Sequence, residues 1–235
     1  MQGLPGALVG RNGGEPLSWQ NRVTPFGDIE VSRARGSLMG NRGILHADDG
    51  TLRNARWQHK RWIACVTEFK GRKARINAPG HYTQLFFLDE AVSLAAGHRP
   101  CVECRRQDFA RFADAWRQGS GCEPGRAPRV REIDESLHQA RVTRDRRQVR
   151  IEARAEDLPD GAFVTIEDGS DAAWLIWRHS LHRWSHEGYG ECRSITLVED
   201  VLVLTPAPSL HVLAAGYRPG VHPSAAKGHA PRPAR

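Results

Sequence analysis

The sequence predicts an α+β fold, in which a helical middle region packs with short antiparallel strands and a small β-rich region follows. Three observations support this fold class. Apolar residues recur at helical spacing between about residues 89 and 141, and short apolar segments separated by Gly-rich turns lie on either side. In addition, 40% of the 235 residues are hydrophobic, which is enough for a buried core.

Composition divides the chain into four segments. Residues 1–20 are rich in Gly and Pro and are expected to be flexible, and residues 223–235 have the composition of a disordered tail. Between them we expect a basic α+β region over 21–142 and a β-rich region over 143–222. The first strands are predicted at 22–24 and 28–31.

Three helices are expected in the middle region. Asp89 is a typical N-cap for a helix over 90–96, and Gly97 follows where helices often end in a left-handed residue. A second helix over about 102–117 aligns Phe109, Phe112 and Trp116, and a third over about 130–141 stacks Ile133 and Leu137.

The C-terminal region is predicted to contain four strands and one helix. Strands at 162–166 and 173–177 flank a polar hairpin turn, two more are expected at 194–198 and 201–204, and a helix over 209–215 ends at Gly216. The histidines at 179, 182 and 186 are expected to lie in loops.

Two short segments are nearly identical. Residues 94–100 (LAAGHRP) and 213–219 (LAAGYRP) match at six of seven positions. We interpret them as a shared helix-ending device, with duplication as the alternative.

The cysteine content and the hydropathy of the chain predict the cellular compartment of the protein. Five cysteines, at positions 65, 101, 104, 122 and 192, are an odd number and favour a reducing environment over a disulfide framework. The longest apolar run, residues 172–177, is too short to span a membrane, and the first residues lack the basic start of a secretory signal. We expect a soluble cytoplasmic protein.

Positive charge is concentrated in one place. The formal net charge is +7, and residues 51–76, which we call the basic segment, carry eight basic residues against Glu68 alone. Aromatic side chains lie between these cations, as in proteins that bind phosphate backbones and unstacked bases. The alternative is a solvated face whose aromatic residues point into the core. The predicted nucleic-acid contacts are Arg53, Arg56, Lys60, Arg61, Lys70, Arg72, Lys73 and Arg75 of this segment, together with Arg105 and Arg106.

The sharpest chemical motif is a pair of cysteines. Cys101 and Cys104 are spaced as two ligands of a tetrahedral zinc site, after Pro100 and at the start of a predicted helix that favours thiolates. The alternatives are reduced structural thiols or a redox pair. We expect a zinc-bearing middle region, with Cys65 as the third ligand and His81 or His46 completing the site. Arg105 and Arg106 follow the pair and are candidates for binding an anion.

The segment around this pair resembles a known family. Residues 86–104, FFLDEAVSLAAGHRPCVEC, are similar to the second half of the zinc-binding domain of Ada DNA repair proteins. The resemblance implies a strand, a helix and a glycine cap leading into a zinc site that contacts DNA. The positions of that family's earlier cysteine pair hold Lys70 and Ala74 here. The resemblance therefore supports the fold fragment and the DNA contact more strongly than the methyl-transfer activity of the Ada family.

Enzymatic alternatives remain open. Residues 100–104 (PCVEC) match the second half of the nucleobase deaminase signature, and residues 65–68 (CVTE) nearly match the first half. Asp134 and His138 share one face of the third helix, so they or Glu103 could act beside an open zinc position. A protein-interaction module is a third possibility. The function predicted from the sequence is cytoplasmic nucleic-acid binding with one structural zinc, in DNA repair or processing, with DNA favoured over RNA.

Overall fold

The computed structural model describes residues 19–73, 80–119, 126, 128–166 and 171–226. In these ranges the chain forms a mixed α/β structure with two six-stranded sheets, a two-stranded ribbon and four α-helices. No helix in the described part of the chain combines the length and apolar character needed to cross a membrane.

The strands of the first half are β1 (Gln20–Val23), β2 (Ile29–Val31), β3 (Leu38–Asn41), β4 (Ile63–Val66), β5 (Glu68–Phe69), β6 (Arg72–Lys73), β7 (Leu85–Phe87) and β8 (Arg99–Pro100). Those of the second half are β9 (Ile151–Arg154), β10 (Phe163–Thr165), β11 (Trp174–Trp177), β12 (Ser180–Ser185), β13 (Gly188–Ser194) and β14 (Asp200–Val203). The helices are α1 (Glu90–Ala95), α2 (Arg106–Gly119), α3 (Val130–Arg141) and α4 (Ala207–Ala214).

The first sheet is mixed rather than antiparallel throughout. Its order is β2-β1-β7-β3-β4-β8, and the pairs β1–β7 and β4–β8 are parallel. Parallel neighbours need a long crossover, and both pairs join strands that are far apart in the sequence. The second sheet, β13-β12-β11-β10-β14-β9, is antiparallel at every pair.

Helix α1 lies between the two hydrophobic clusters, and all six of its residues are buried. Leu94 packs into a cluster with α2, α3, α4 and the second sheet, whereas Val92 and Ala95 pack into a cluster that includes β7. Residues on both sides of the boundary expected between 142 and 143 therefore share one core.

The N-terminus of α1 is held by the C-terminal part of the chain. Asp89 caps the helix at Val92 N, and its Oδ2 also accepts hydrogen bonds from Tyr189 Oη at 2.7 Å and His222 N at 2.8 Å. Glu90 accepts from Tyr217 Oη at 2.6 Å. These contacts satisfy two buried carboxylates that would otherwise be costly to desolvate.

The two similar segments both end helices, as predicted. Gly97 has φ of 80° and Gly216 has φ of 97°, so each takes the left-handed conformation that ends a helix. Gly97 N donates to Leu94 O at 2.9 Å and Gly216 N to Leu213 O at 3.0 Å.

Several element predictions need correction. Helix α2 begins at Arg106 rather than 102, because residues 102–105 form turns in which Arg105 N donates to Cys101 O. The strand predicted over 194–198 is wrong: pairing of β13 with β12 stops at Ser194, and the 3-10 helix Ile195–Leu197 follows and buries Ile195.

The remaining corrections concern histidines and the two termini. His182 lies in β12 and is buried, rather than in a loop. Pro223–Ala226, assigned above to a disordered tail, form a 3-10 helix that buries Ala225. Gln20, the last residue of the segment expected to be flexible, begins β1, and residues 1–18 lie outside the described ranges.

We expect Tyr189→Phe to lower the free energy of unfolding by about 1–3 kcal/mol, because it removes a hydrogen bond from the buried Asp89 carboxylate. Urea denaturation followed by circular dichroism measures this change. Tyr82→Phe is the matched control, because Tyr82 is exposed, and it should change stability by less than about 0.5 kcal/mol. Equal losses in the two variants would contradict the role given to Tyr189.

Candidate metal centre

Three cysteines meet at the edge of the first sheet. Strands β4 and β8 run parallel, with Ala64 opposite Pro100, and Cys101 N donates to Ala64 O at 3.0 Å. Cys65 and Cys101 are the next residues along the two strands, so this register places them side by side. Cys104 returns to the same place through the turn that precedes α2. The ligand atoms of these three residues all lie within 4.8 Å of one another and could hold a metal ion.

Hydrogen bonding distributes negative charge unequally over the three sulfurs. The Cys65 thiol donates to Cys101, and the backbone N–H groups of Cys104 and Glu103 also point to that sulfur, so the pKa of Cys101 falls to about 5. Sharing of the Cys65 proton with Cys101, together with burial, raises the pKa of Cys65. Burial also raises the pKa of Cys104. Cys101 is therefore the thiolate of the group before any metal binds.

A cavity of about 400 Å³ lies against the three sulfurs and leaves space for a further ligand. Tyr82, Glu103 and Thr67 are among the residues that line it. His81, which we predicted as a ligand, is exposed and lies outside the group of three.

His46 and the other cysteines lie elsewhere. The ring of His46 bonds to Thr83 Oγ1 and Gln20 O, each at 3.2 Å. Cys192 lies on β13 in the second sheet, and Cys122 falls outside the described residues.

Comparison of the chain with protein-family models, with curated proteins and with solved structures finds no match in any of the three.

Asp134 and His138 have separate partners. The Asp134 carboxylate is buried and binds Arg99 through two hydrogen bonds of 2.8 and 2.9 Å. His138 accepts a hydrogen bond from Arg141 at 3.0 Å and lies edge-on to the Trp57 ring. Asp134 and His138 are thus each hydrogen-bonded to a different arginine and not to one another.

The predicted cations fall into three groups. Side chains that reach the surface belong to Arg53, Arg56, Lys60, Arg61, Lys70 and Arg106. Arg72 and Lys73 form β6, and Arg75 lies outside the described residues. Arg105 was predicted to bind an anion, but it is buried and its Nη2 lies 2.8 Å from both Glu90 and Asp108, so its charge is already compensated.

A second group of arginines was not predicted from the sequence, except for Arg56. Six arginines line a separate cavity that includes Trp57 and Trp62: Arg42, Arg56, Arg141, Arg146, Arg147 and Arg150. The density of arginine over residues 141–150 was a usable signal, but Arg42 is distant in sequence and gave none.

We expect Cys101→Ser to remove a tightly bound metal from the purified protein, from about one ion per chain to less than about 0.2, because thiolate ligands dominate the site. Metal content by inductively coupled plasma mass spectrometry, with protein counted by amino-acid analysis, measures this. Cys192→Ser is the control and should retain the metal. Equal metal content in the two variants would show that the three cysteines are not the site.

Proposed function

We propose that this chain is a cytoplasmic nucleic-acid-binding protein with one structural zinc, engaged in DNA repair or processing, with DNA favoured over RNA. The observation that carries the proposal is the cluster of Cys65, Cys101 and Cys104, whose ligand atoms lie within 4.8 Å of one another. Three soft sulfur ligands favour zinc over the hard divalent cations. The four cysteines in the described ranges are free, in keeping with a reducing compartment.

The zinc would act by holding the sheet edge on which the basic segment depends. Cys65 lies on β4, and the residues immediately before that strand are the exposed Arg61 and the buried Trp62. A metal that joins β4 to the turn before α2 would fix this end of the segment. Loss of the metal would then release both the strand and the cations that precede it.

The backbone from 53 to 62 is anchored while its cations face outward. Arg53 N donates to Leu45 O at 2.8 Å, Gln58 N donates to Arg42 O at 2.7 Å, and the indole of Trp62 donates to His59 O at 2.9 Å. Exposed guanidinium and ammonium groups on a rigid loop favour contact with a phosphate backbone, since little entropy is lost when they bind. The resemblance of residues 86–104 to the Ada zinc domain supports a role in DNA repair.

A metal-assisted enzyme is the second candidate, because the cavity beside the sulfurs is large enough for a small substrate and is lined by Glu103. Zinc enzymes keep one position open for water, and a nearby carboxylate can move protons. Coordination of the fourth position distinguishes the two functions.

We expect X-ray absorption of the zinc-loaded protein to show three sulfur ligands and one imidazole nitrogen, with His81 as the fourth ligand. His81 is the candidate because it directly precedes Tyr82, which lines the cavity. His81→Ala should replace the nitrogen with an oxygen. Three sulfurs and an oxygen in the unmodified protein would favour the enzyme instead.

Binding of duplex DNA should depend on salt through the exposed cations of the basic segment. Each phosphate neutralised contributes about 0.9 to the slope of log K against log salt, so replacing Arg53, Lys60 and Arg61 together with Ala should flatten that slope by about two to three. Fluorescence anisotropy of a labelled duplex, titrated at salt concentrations from about 50 to about 200 mM, measures this slope.

Arg183→Ala is the matched control for this experiment, because Arg183 is exposed on β12 of the second sheet. It should leave the slope unchanged. A slope near zero for the unmodified protein would contradict nucleic-acid binding altogether.

A further inference from the structure

A second cavity, of about 560 Å³, lies between Phe26–Asp28, Trp57 and the residues that follow α3. We call it the arginine cavity. Its volume is in the range of small-ligand sites. Among the residues that line it, one is acidic, the exposed Asp28, against the six arginines named above.

Two of these arginines are buried and lie over one indole. The guanidinium of Arg42 lies 4.1 Å from the centroid of the Trp62 ring, and that of Arg141 lies 3.6 Å from it. Arg42 donates to Gly27 O at 2.8 Å, and Arg141 donates to Gly97 O and Lys60 O at 2.8 and 2.7 Å. These bonds hold both groups rigidly but supply no negative charge.

Neither charge has a carboxylate in direct contact. Among the described residues no carboxylate forms an ion pair with Arg42 or Arg141, and the buried Nη2 of Arg42 and Nε of Arg141 have no hydrogen-bond partner. Burial lowers the pKa of each guanidinium to about 9; the charge of Arg56 lowers the pKa of Arg42 further and that of Arg42 lowers the pKa of Arg141, whereas Asp28 and Asp134 act in the opposite direction. Both remain charged at neutral pH, so their burial carries a desolvation cost that an anion bound in the cavity would offset.

Aromatic rings lie beside these cations. Trp57 is half-buried, and its ring centroid lies 5.7 Å from that of Trp62. The guanidinium of Arg146 lies 5.8 Å from the centroid of the Trp57 ring. Arg150 lies 5.3 Å from the ring of Phe26 on the wall of the same cavity. Half-exposed aromatic and guanidinium planes are the surfaces on which nucleobases stack.

We propose that the arginine cavity binds a phosphomonoester carried on a nucleoside, namely the phosphorylated end of a nucleic-acid strand. Guanidinium groups bind phosphate oxygens through paired hydrogen bonds, and Trp57 offers a face for the adjoining base. This proposal rests on the proposed function, because it takes the phosphate to belong to a nucleic-acid strand. A free mononucleotide carries the same phosphomonoester and is the alternative ligand.

The charge of the ligand explains why a strand end is favoured over an internal phosphate. A phosphomonoester carries a charge of about −1.5 to −2 at pH 7, by analogy with phosphorylated side chains, whereas a phosphodiester carries a single charge. A cavity lined by six arginines and one carboxylate therefore matches a terminal phosphate better.

The test compares oligonucleotides of one sequence that differ only at an end: 5′-phosphate, 3′-phosphate or hydroxyl at both ends. Fluorescence anisotropy should show that at least one phosphorylated form binds about tenfold or more tightly than the hydroxyl form, a difference expected from a paired charge-assisted contact. Deoxyadenosine monophosphate, added as a competitor, reports on the free nucleotide as the source.

Two variants locate the preference. Arg42→Met keeps the side-chain volume but removes the charge, and it should abolish the preference while leaving thermal stability equal or higher, since a buried uncompensated cation is removed. Arg146→Ala combined with Arg147→Ala changes only exposed side chains, so it tests the site even if Arg42→Met fails to fold. Arg183→Ala is the control and should keep the preference.

The outcomes separate this proposal from the proposed function. Salt-dependent binding with equal affinity for all three oligonucleotides, or a preference that survives in both cavity variants, would overturn the arginine cavity as a phosphate site but leave nucleic-acid binding intact. Binding of deoxyadenosine monophosphate alone, lost in the cavity variants, would support the cavity and contradict nucleic-acid binding.

Discussion

The structure depends on the satisfaction of two adjacent buried carboxylates, those of Asp89 and Glu90, at the start of α1. Their hydrogen bonds come from Tyr189, Tyr217 and the backbone near residues 220–222, so the end of the described chain closes over the helix. Without these hydrogen bonds, burial of the two carboxylates would cost several kcal/mol, which is on the order of the free energy of transferring a polar group from water to an apolar medium. Because α1 is flanked by β7 and β8, its position decides where β8 pairs with β4, and hence where the cysteines meet.

Buried arginines play two distinct physical parts in this fold. Arg99 and Arg105 pair with carboxylates at 2.8 Å and tie α3 and α1 to the turn that carries the cysteines. Arg42 and Arg141 donate hydrogen bonds to backbone carbonyls, and both lie over the Trp62 ring. Paired buried charges specify geometry, whereas uncompensated ones reduce stability and are typical of sites that await a ligand.

The metal centre and the arginine cavity are joined by a short stretch of chain. Trp62, whose ring contacts Arg42 and Arg141, is three residues before Cys65, and its carbonyl accepts a hydrogen bond from Arg99 N at 3.2 Å. A metal at the cysteines would therefore stiffen the wall of the cavity through β4. Zinc and phosphate binding, if both occur, act on one rigid element rather than on independent parts of the molecule.

The sequence by itself determined the features that depend on residues a few positions apart. The Asp89 cap, the end of α1 at Gly97, helix α3 and the pairing of Cys101 with Cys104 all follow from local spacing, because capping and helical contacts act within about one turn. The tertiary structure alone decided the rest. Parallel pairing of β4 with β8 brings Cys65, the expected third ligand, to the site, and burial removes Arg105 from the surface. The bend after β3 and the end of α3 place Arg42 and Arg141 over the same Trp62 ring. The physical reason is that contacts between distant residues are set by the way whole elements pack.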